Sequence, residues 1–172
     1  LGDVYKRQYM SLAGGVAGLL ESDDARPVAM DIVSFKGDIV AKNIYSADDE
    51  THKIYAGGIA GRTKESGTQT DERRVSIANA ETDVKIIGQC WKDYHAMGGL
   101  VGEGWYTDVS NAVAKAEFVS YRHASARNYI GGLVGDASSV RLVNTYAKSD
   151  VEVAESTTEN PVTPPIVGSL VS

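Results

Sequence analysis

Short apolar runs punctuated by paired glycines recur along this chain at nearly regular intervals. Ala13-Gly14-Gly15-Val16-Ala17-Gly18, Ala56-Gly57-Gly58-Ile59-Ala60-Gly61, Ala96-Met97-Gly98-Gly99-Leu100-Val101-Gly102, Tyr129-Ile130-Gly131-Gly132-Leu133-Val134-Gly135 and Ile166-Val167-Gly168-Ser169-Leu170-Val171 are five versions of one phrase. Each has an apolar residue, a glycine pair (Gly-Ser in the fifth), two apolar residues and usually a further glycine. The first glycines, Gly14, Gly57, Gly98, Gly131 and Gly168, lie 33 to 43 residues apart. Self-similarity at such a period marks a repeat architecture, in which units too small to bury their own apolar face stack and cover one another.

Two further elements follow each phrase. One carries Asn in three copies: Asn79, Asn111 and Asn144, with Ser34 in the corresponding place of the first copy. The other pairs a small residue with an acid and then β-branched or aromatic residues: Gly37-Asp38-Ile39-Val40, Thr82-Asp83-Val84-Lys85-Ile86, Ala116-Glu117-Phe118-Val119 and Ser149-Asp150-Val151-Glu152-Val153. That composition is strand-like, entered from a turn. The pattern predicts three short strands per unit, with strands over 28–33, 38–45, 75–80, 83–87 and 112–119 among them. Polar stretches 21–27, 47–53 and 62–74 read as surface loops, 89–95 as a short helical turn or aromatic loop, 104–106 as an aromatic loop spot, and 156–165 as an extended loop. Three strands per unit predict an all-β fold, a β-solenoid, most simply a right-handed parallel β-helix of about four coils. A β-sandwich or flat β-sheet array is the alternative. Stacked coils at about 4.8 Å each give a body on the order of 20 Å tall. The glycines then permit tight corners and close backbone layers, and Asn79, Asn111 and Asn144 form a stacked amide ladder.

The phrase Gly-Gly-Leu-Val-Gly, followed by apolar-x-Asn-x-Tyr-Ala and small-Asp-Val, resembles the GLUG repeat, matched most closely by the third and fourth copies. The resemblance covers nearly the whole chain from Ala13. It implies a bacterial surface or secreted protein, either adhesin-like or the non-catalytic region of an IgA-cleaving metalloprotease. An extracellular or cell-surface location follows from the same resemblance, as does a host glycan or extracellular protein as partner.

The ends change the picture in one respect. The chain starts without Met and stops inside the fifth copy, and Leu1–Gln8 resembles translated adaptor read-through, so the sequence reads as a fragment. Residues 1–8 are set aside as non-native, and 9–172 is one array with units at about 9–54, 55–95, 96–128, 129–165 and a partial 166–172. Open ends of such an array leave unpaired strand edges, through which the fragment is expected to self-associate.

Composition adds bounds. The 172 residues carry 42% hydrophobic and 23% charged residues, as a folded soluble domain does. The net charge of −6 argues against nucleic acid or an anionic membrane as partner. A single cysteine, Cys90, forbids an intrachain disulfide and reads as a buried apolar residue beside Trp91. No apolar run reaches the roughly 20 residues a membrane-spanning helix needs.

Catalytic chemistry has no recognisable motif. The glycines lack the order and following helix of a dinucleotide fingerprint, and no P-loop is present. His52, His95 and His123 are scattered and form no zinc motif. Asp38, Asp83, Glu117 and Asp150 occupy similar places and could form an acidic stripe, as a glycan-cleaving β-helix requires; the preferred reading is that each acid starts a turn by bonding backbone N–H groups, which accounts for every copy. Calcium ligation by Asp23, Asp24, Asp48, Asp49 and Glu50 lacks any known spacing. The reading is therefore non-enzymatic, without metal or cofactor. Among Trp91, Tyr94, Trp105, Tyr106 and Tyr121, the best binding candidates are Trp105 and Tyr106, which follow a strand directly and offer flat apolar rings to a sugar or protein partner.

Overall fold

The computed structural model describes residues 8–23, 26–43, 51–66, 74–90, 93–122, 126–155 and 166–168. Strands occupy 91% of these residues and none is helical, so the fold is all-β. The strands are β1 (Gln8–Gly14), β2 (Ala17–Asp23), β3 (Ala29–Asn43), β4 (Thr51–Gly57), β5 (Ala60–Ser66), β6 (Val75–Cys90), β7 (Asp93–Gly98), β8 (Val101–Arg122), β9 (Ala126–Gly131), β10 (Val134–Glu155) and β11 (Ile166–Gly168).

All strand pairings are parallel, and every strand pairs with its equivalent in the neighbouring repeat. One sheet runs β1-β4-β7-β9-β11. The other joins β2 to β5 and β3 to β6, both of which pair β8, with β10 on the far side of β8. The parallel sheets curl into a half-barrel. The glycine phrases are in register throughout: Gly14 lies opposite Gly57, Gly57 opposite Gly98, Gly98 opposite Gly131, and Gly131 opposite Gly168. Gln8 is already paired, with Thr51, so the first strand begins one residue inside the segment set aside as non-native.

The reason for the glycines is proximity. No glycine of the phrase has a positive φ. A Cβ on Gly57 would sit 2.6 Å from Gly102 N and 2.7 Å from Leu100 O, and one on Gly98 would sit 2.7 Å from both Gly135 N and Leu133 O. These are backbone atoms of the next unit, which cannot step aside. The turns after the glycines stack too. Ile59 N and Ala60 N both donate to Leu100 O, at 2.8 and 3.1 Å, and Leu100 N and Val101 N both donate to Leu133 O, at 2.9 and 3.0 Å.

The corners belong to other residues. Asn79, Asn111 and Asn144 have φ near +50°, the left-handed region that Asn tolerates better than most residues. They stack as a ladder: Asn144 Nδ2 donates to Asn111 Oδ1 at 2.8 Å, Asn111 Nδ2 to Asn79 Oδ1 at 3.2 Å, and Asn79 Nδ2 to Asp31 Oδ1 at 2.7 Å. The first-unit residue opposite Asn79 is Ile32, also at φ 51°, and not Ser34, which pairs with Glu81. The spacing count is two residues out there because polar insertion length hides the register. A second left-handed pair, Tyr106 and Ser139, bends β8 and β10 earlier. Bending at these residues lets the expected second and third strands of a unit run as one 22-residue strand in β8 and β10.

Burial follows the stacking. One apolar cluster holds Ile54, Met97 and Ile130 from the first sheet against Ile39, Ile86 and Phe118 from the second. Another fills the glycine-turn side with Ile59, Leu100, Leu133, Ile77 and Val109. The second and third units are covered on both sides, whereas the outer units leave Ile32, Val143 and Tyr146 in solvent. Among the described residues no helix is long and apolar enough to cross a membrane.

Five loop expectations are corrected: of 21–27, residues 21–23 lie on β2, and of 47–53, residues 51–53 lie on β4. Residues 104–106 lie within β8, and Tyr94 lies on β7 rather than in a helical turn or loop. The expected loop 62–74 keeps only 67–73 outside the described residues. Arg62 is on β5, and Arg74 is buried, donating through Nη2 to Thr107 O at 3.1 Å and to Ser139 O, with Nε on Asp108. Arg74 thus satisfies carbonyls at the Tyr106 and Ser139 bends. The loop at 156–165, Trp91, His123, Asp24 and 48–50 lie outside the described residues.

Candidate functional site

Two columns of residues meet beside the glycine turns. On the first sheet, Tyr55, Ala96 and Tyr129 share a register, two residues before the first glycine of each phrase. Alternation places Tyr94 on the same face of β7, one step back. The small Ala96 leaves space that the Tyr94 ring fills: its centroid is 5.5 Å from that of Tyr55, edge to face, and 5.2 Å from that of Tyr129. Such pairs contribute about 0.5–1.5 kcal/mol beyond area burial.

The second column is Arg62, Glu103 and Asp136, each one residue after the last glycine of its phrase. Arg62 Nε pairs with Glu103 Oε2, both side chains largely buried. The Arg62 guanidinium also lies 5.3 Å from the Tyr55 ring centroid and 5.9 Å from that of Trp105. Tyr94 donates its hydroxyl hydrogen bond to Asp136 Oδ2. The result is a continuous packed cluster across three units, running Trp105, Arg62, Tyr55, Tyr94, Tyr129, in which Tyr55 is buried and Trp105 is exposed.

Electrostatics there favour the uncharged forms of two groups. Burial pushes the Asp136 carboxyl up, opposed by a hydrogen bond from the Ala137 backbone. Burial, followed by the neighbouring Glu103 charge, pushes the Tyr55 hydroxyl well above its ordinary value. Trp105 remains 38% exposed. Flat rings flanked by a guanidinium and carboxylates are recognition chemistry: rings stack on apolar faces, and the charged groups take hydroxyl or amide partners.

The two aromatic candidates part company. Trp105 joins this cluster. Tyr106, in the left-handed conformation, instead has the buried Arg74 guanidinium 5.8 Å from its ring centroid. Tyr121 is an exposed position on β8.

The acidic stripe is overturned by register. Asp38, Lys85, Glu117 and Asp150 form one row, while Asp83 belongs to the neighbouring row Lys36, Asp83, Lys115, Lys148. These rows line a groove of about 420 Å³ on the outer face of β3, β6, β8 and β10. Lys36 Nζ is 2.7 Å from Asp83 Oδ2, and Lys85 Nζ is 2.5 Å from Glu117 Oε1. The Lys36 hydrogen bond and charge hold the Asp83 carboxyl below its ordinary range.

His95 faces inward, fully buried, in line with Ile54 and Asn128. Gly88 makes its place: a Cβ there would overlap the imidazole. Neither ring nitrogen has a well-aligned protein partner, nor have the amide atoms of Asn128 or the hydroxyl of Ser120. Burial lowers the His95 pKa to about 4, with Asn128 opposing. Among the described residues no group of three His, Cys, Asp or Glu side chains is placed to hold a metal ion.

Sequence reasoning missed Tyr55, Tyr129, Arg62, Glu103 and Asp136. Aligning the glycine phrases would have found them, since each stands at a fixed offset from a glycine. No family model, curated protein or solved structure matches this chain.

Proposed function

We propose that this chain is a non-enzymatic repeat scaffold of a bacterial cell-surface or secreted protein, a GLUG-type array wound as a right-handed β-solenoid. Its binding surface centres on the exposed Trp105 ring, backed by the packed cluster of Arg62, Tyr55, Tyr94 and Tyr129, and its ligand is a host glycan. What supports the solenoid is the unit-on-unit parallel register of both sheets. What carries the binding reading is one observation: the 38% exposed Trp105 ring lies beside Arg62 and is backed by packed rings from three successive units. The test is titration of the protein against a glycan panel. Trp105→Ala is expected to weaken the selected glycan at least about 10-fold by removing one stacking face. Unchanged affinity removes the cluster from the proposal.

A second reading makes the same surface an exosite or spacer of a larger secreted metalloprotease, with a peptide segment in place of the sugar. The glycan panel run beside an unfolded-protein panel separates the two. A carbohydrate-active β-helix is a weaker alternative. It rests on Glu117 and Asp150, adjacent in their row, and predicts turnover of an acidic polysaccharide that Asp150→Asn abolishes.

A further inference from the structure

The groove on the outer face carries a charge order that works against the stability of the stack. Its rows cross all four units: Lys36, Asp83, Lys115 and Lys148 in one, Asp38, Lys85, Glu117 and Asp150 in the other. The second unit reverses the order of the first and third. Asp83 therefore stands between Lys36 and Lys115, and Lys85 between Asp38 and Glu117. The Lys36–Asp83 and Lys85–Glu117 ion pairs, at 2.7 and 2.5 Å, are the result.

The fourth unit instead repeats the order of the third. Lys148 lies opposite Lys115, and Asp150 opposite Glu117. Neighbouring strands are about 4.8 Å apart, and like charges directly opposite destabilise a sheet. All four side chains are exposed, so core packing does not demand this order. Exchanging Lys148 with Asp150, as the second unit does at the same place, would oppose unlike charges throughout. Proteins break such a local rule chiefly at functional sites.

The arrangement makes a site with two ends. Two ammonium groups stand together on one side of the groove and two carboxylates on the other. The rows are two residues apart along the strand, about 6.6 Å. Between them the groove is lined by Val84 and Ala116, whose side chains turn into the core, so the floor there is backbone. A short apolar chain can lie across it.

We propose that the groove between the third and fourth units binds a zwitterion, with its carboxylate held by Lys115 and Lys148 and its ammonium by Glu117 and Asp150. Each end makes charge-assisted hydrogen bonds, and the bound charges relieve the like-charge contacts that the stack leaves. The site uses none of the residues of the aromatic cluster. A free amino acid with a spacer supplies this chemistry, and so does an amino sugar joined to a uronic acid.

The experiment is an NMR titration of the isotope-labelled chain at low salt. The probes are δ-aminovalerate and the disaccharide of de-N-acetylated hyaluronan, with valerate and pentylamine as single-ended controls. At least one zwitterion is expected to bind about 10-fold tighter than either control, with saturable shifts at Lys115, Glu117, Lys148 and Asp150. The probe that binds tells whether a free chain or a sugar frame carries the charges. Lys115→Gln and Glu117→Gln should each weaken it about 5-fold. The exchange Lys148→Asp/Asp150→Lys should abolish binding and raise the thermal midpoint by about 1–2 °C, because each charge then finds its partner within the stack. Two zwitterions that bind no better than the controls would overturn the proposal. So would an exchange variant that binds like wild type or melts lower.

Discussion

Ile32 occupies the one place in the corner stack where the residue type opposes the backbone. Its φ is 51° and its side chain 83% exposed. An L-residue in this region is strained by roughly 1–2 kcal/mol, and a β-branched one is a genuine outlier. Replacing it with Asn, which the next three units use, relieves about 1 kcal/mol of that strain. The burial forfeited is small: full burial of Ile is worth about 1.5–3 kcal/mol, and about a sixth of the side chain is covered, so roughly 0.4 kcal/mol is lost. A ladder bond at an exposed site returns about 0.5 kcal/mol. Ile32→Asn should therefore stabilise the fold by about 1 kcal/mol, or roughly 2–4 °C for a chain of this size. Ile32→Ala keeps the strained Cβ and should be neutral or slightly destabilising. Asn111→Ala, in mid-ladder, loses bonds on both sides and should destabilise by about 2 kcal/mol. Urea titration of the four proteins, compared by midpoint at constant m, measures all of this. If Ile32→Asn lowers the midpoint, or matches Ile32→Ala, the corner argument is wrong.

Gly58→Ala should destabilise by about 3 kcal/mol, because its Cβ would meet the Gly99 carbonyl and lie 2.8 Å from Thr82 Cγ2. Gly18→Ala meets nothing closer than 3.4 Å and should be neutral or stabilise by about 0.5 kcal/mol; equal effects at the two sites in thermal melts would refute the close-approach account. His95, at about 4 in the folded chain against an ordinary 6.5, takes up its proton first in the unfolded chain. Its contribution is full above pH 6.5 and is lost as pH falls toward 4, on the order of 3 kcal/mol. His95→Leu should flatten that part of the stability–pH curve relative to wild type, and a difference curve with no slope between pH 4 and 6.5 would rule the assignment out.

The architecture was legible where residue type and spacing coincide. The glycine phrases announce themselves because close backbone approach admits no substitute, so the same letters recur at the same offset. The Asn positions were legible because left-handed corners select Asn. Ser34 was misplaced because insertions of different length precede the corner, and only pairing partners reveal that Ile32 stands there. The acidic stripe failed for a related reason: Asp83 and Glu117 each follow a small residue, yet lie two positions apart in register, which in a strand is the next outward place on the same face. Trp105 could be picked as an exposed ring from sequence. Tyr94 was only one aromatic among several and Tyr55 was missed, because their association depends on Ala96 being small and on a second strand bringing Arg62 over the Tyr55 ring.

The stacked turns and the Asn ladder have an electrical consequence. In the turns the N–H groups of an earlier unit point to the carbonyl of a later one: Val16 and Ala17 to Ile59, Ile59 and Ala60 to Leu100, Leu100 and Val101 to Leu133. Their dipoles add along the stack axis, positive toward the later units, much as peptide dipoles add in a helix. In the ladder the amide groups of the later unit donate to the earlier, so its dipoles add the other way. Asp31 imposes that sense, because a carboxylate can only accept, and it places a negative charge on the ladder's positive end. The body thus carries two opposed dipole columns on different sides, and repeats added to it lengthen both together. Removing the ladder would leave the turn column uncompensated and polarise the array from end to end.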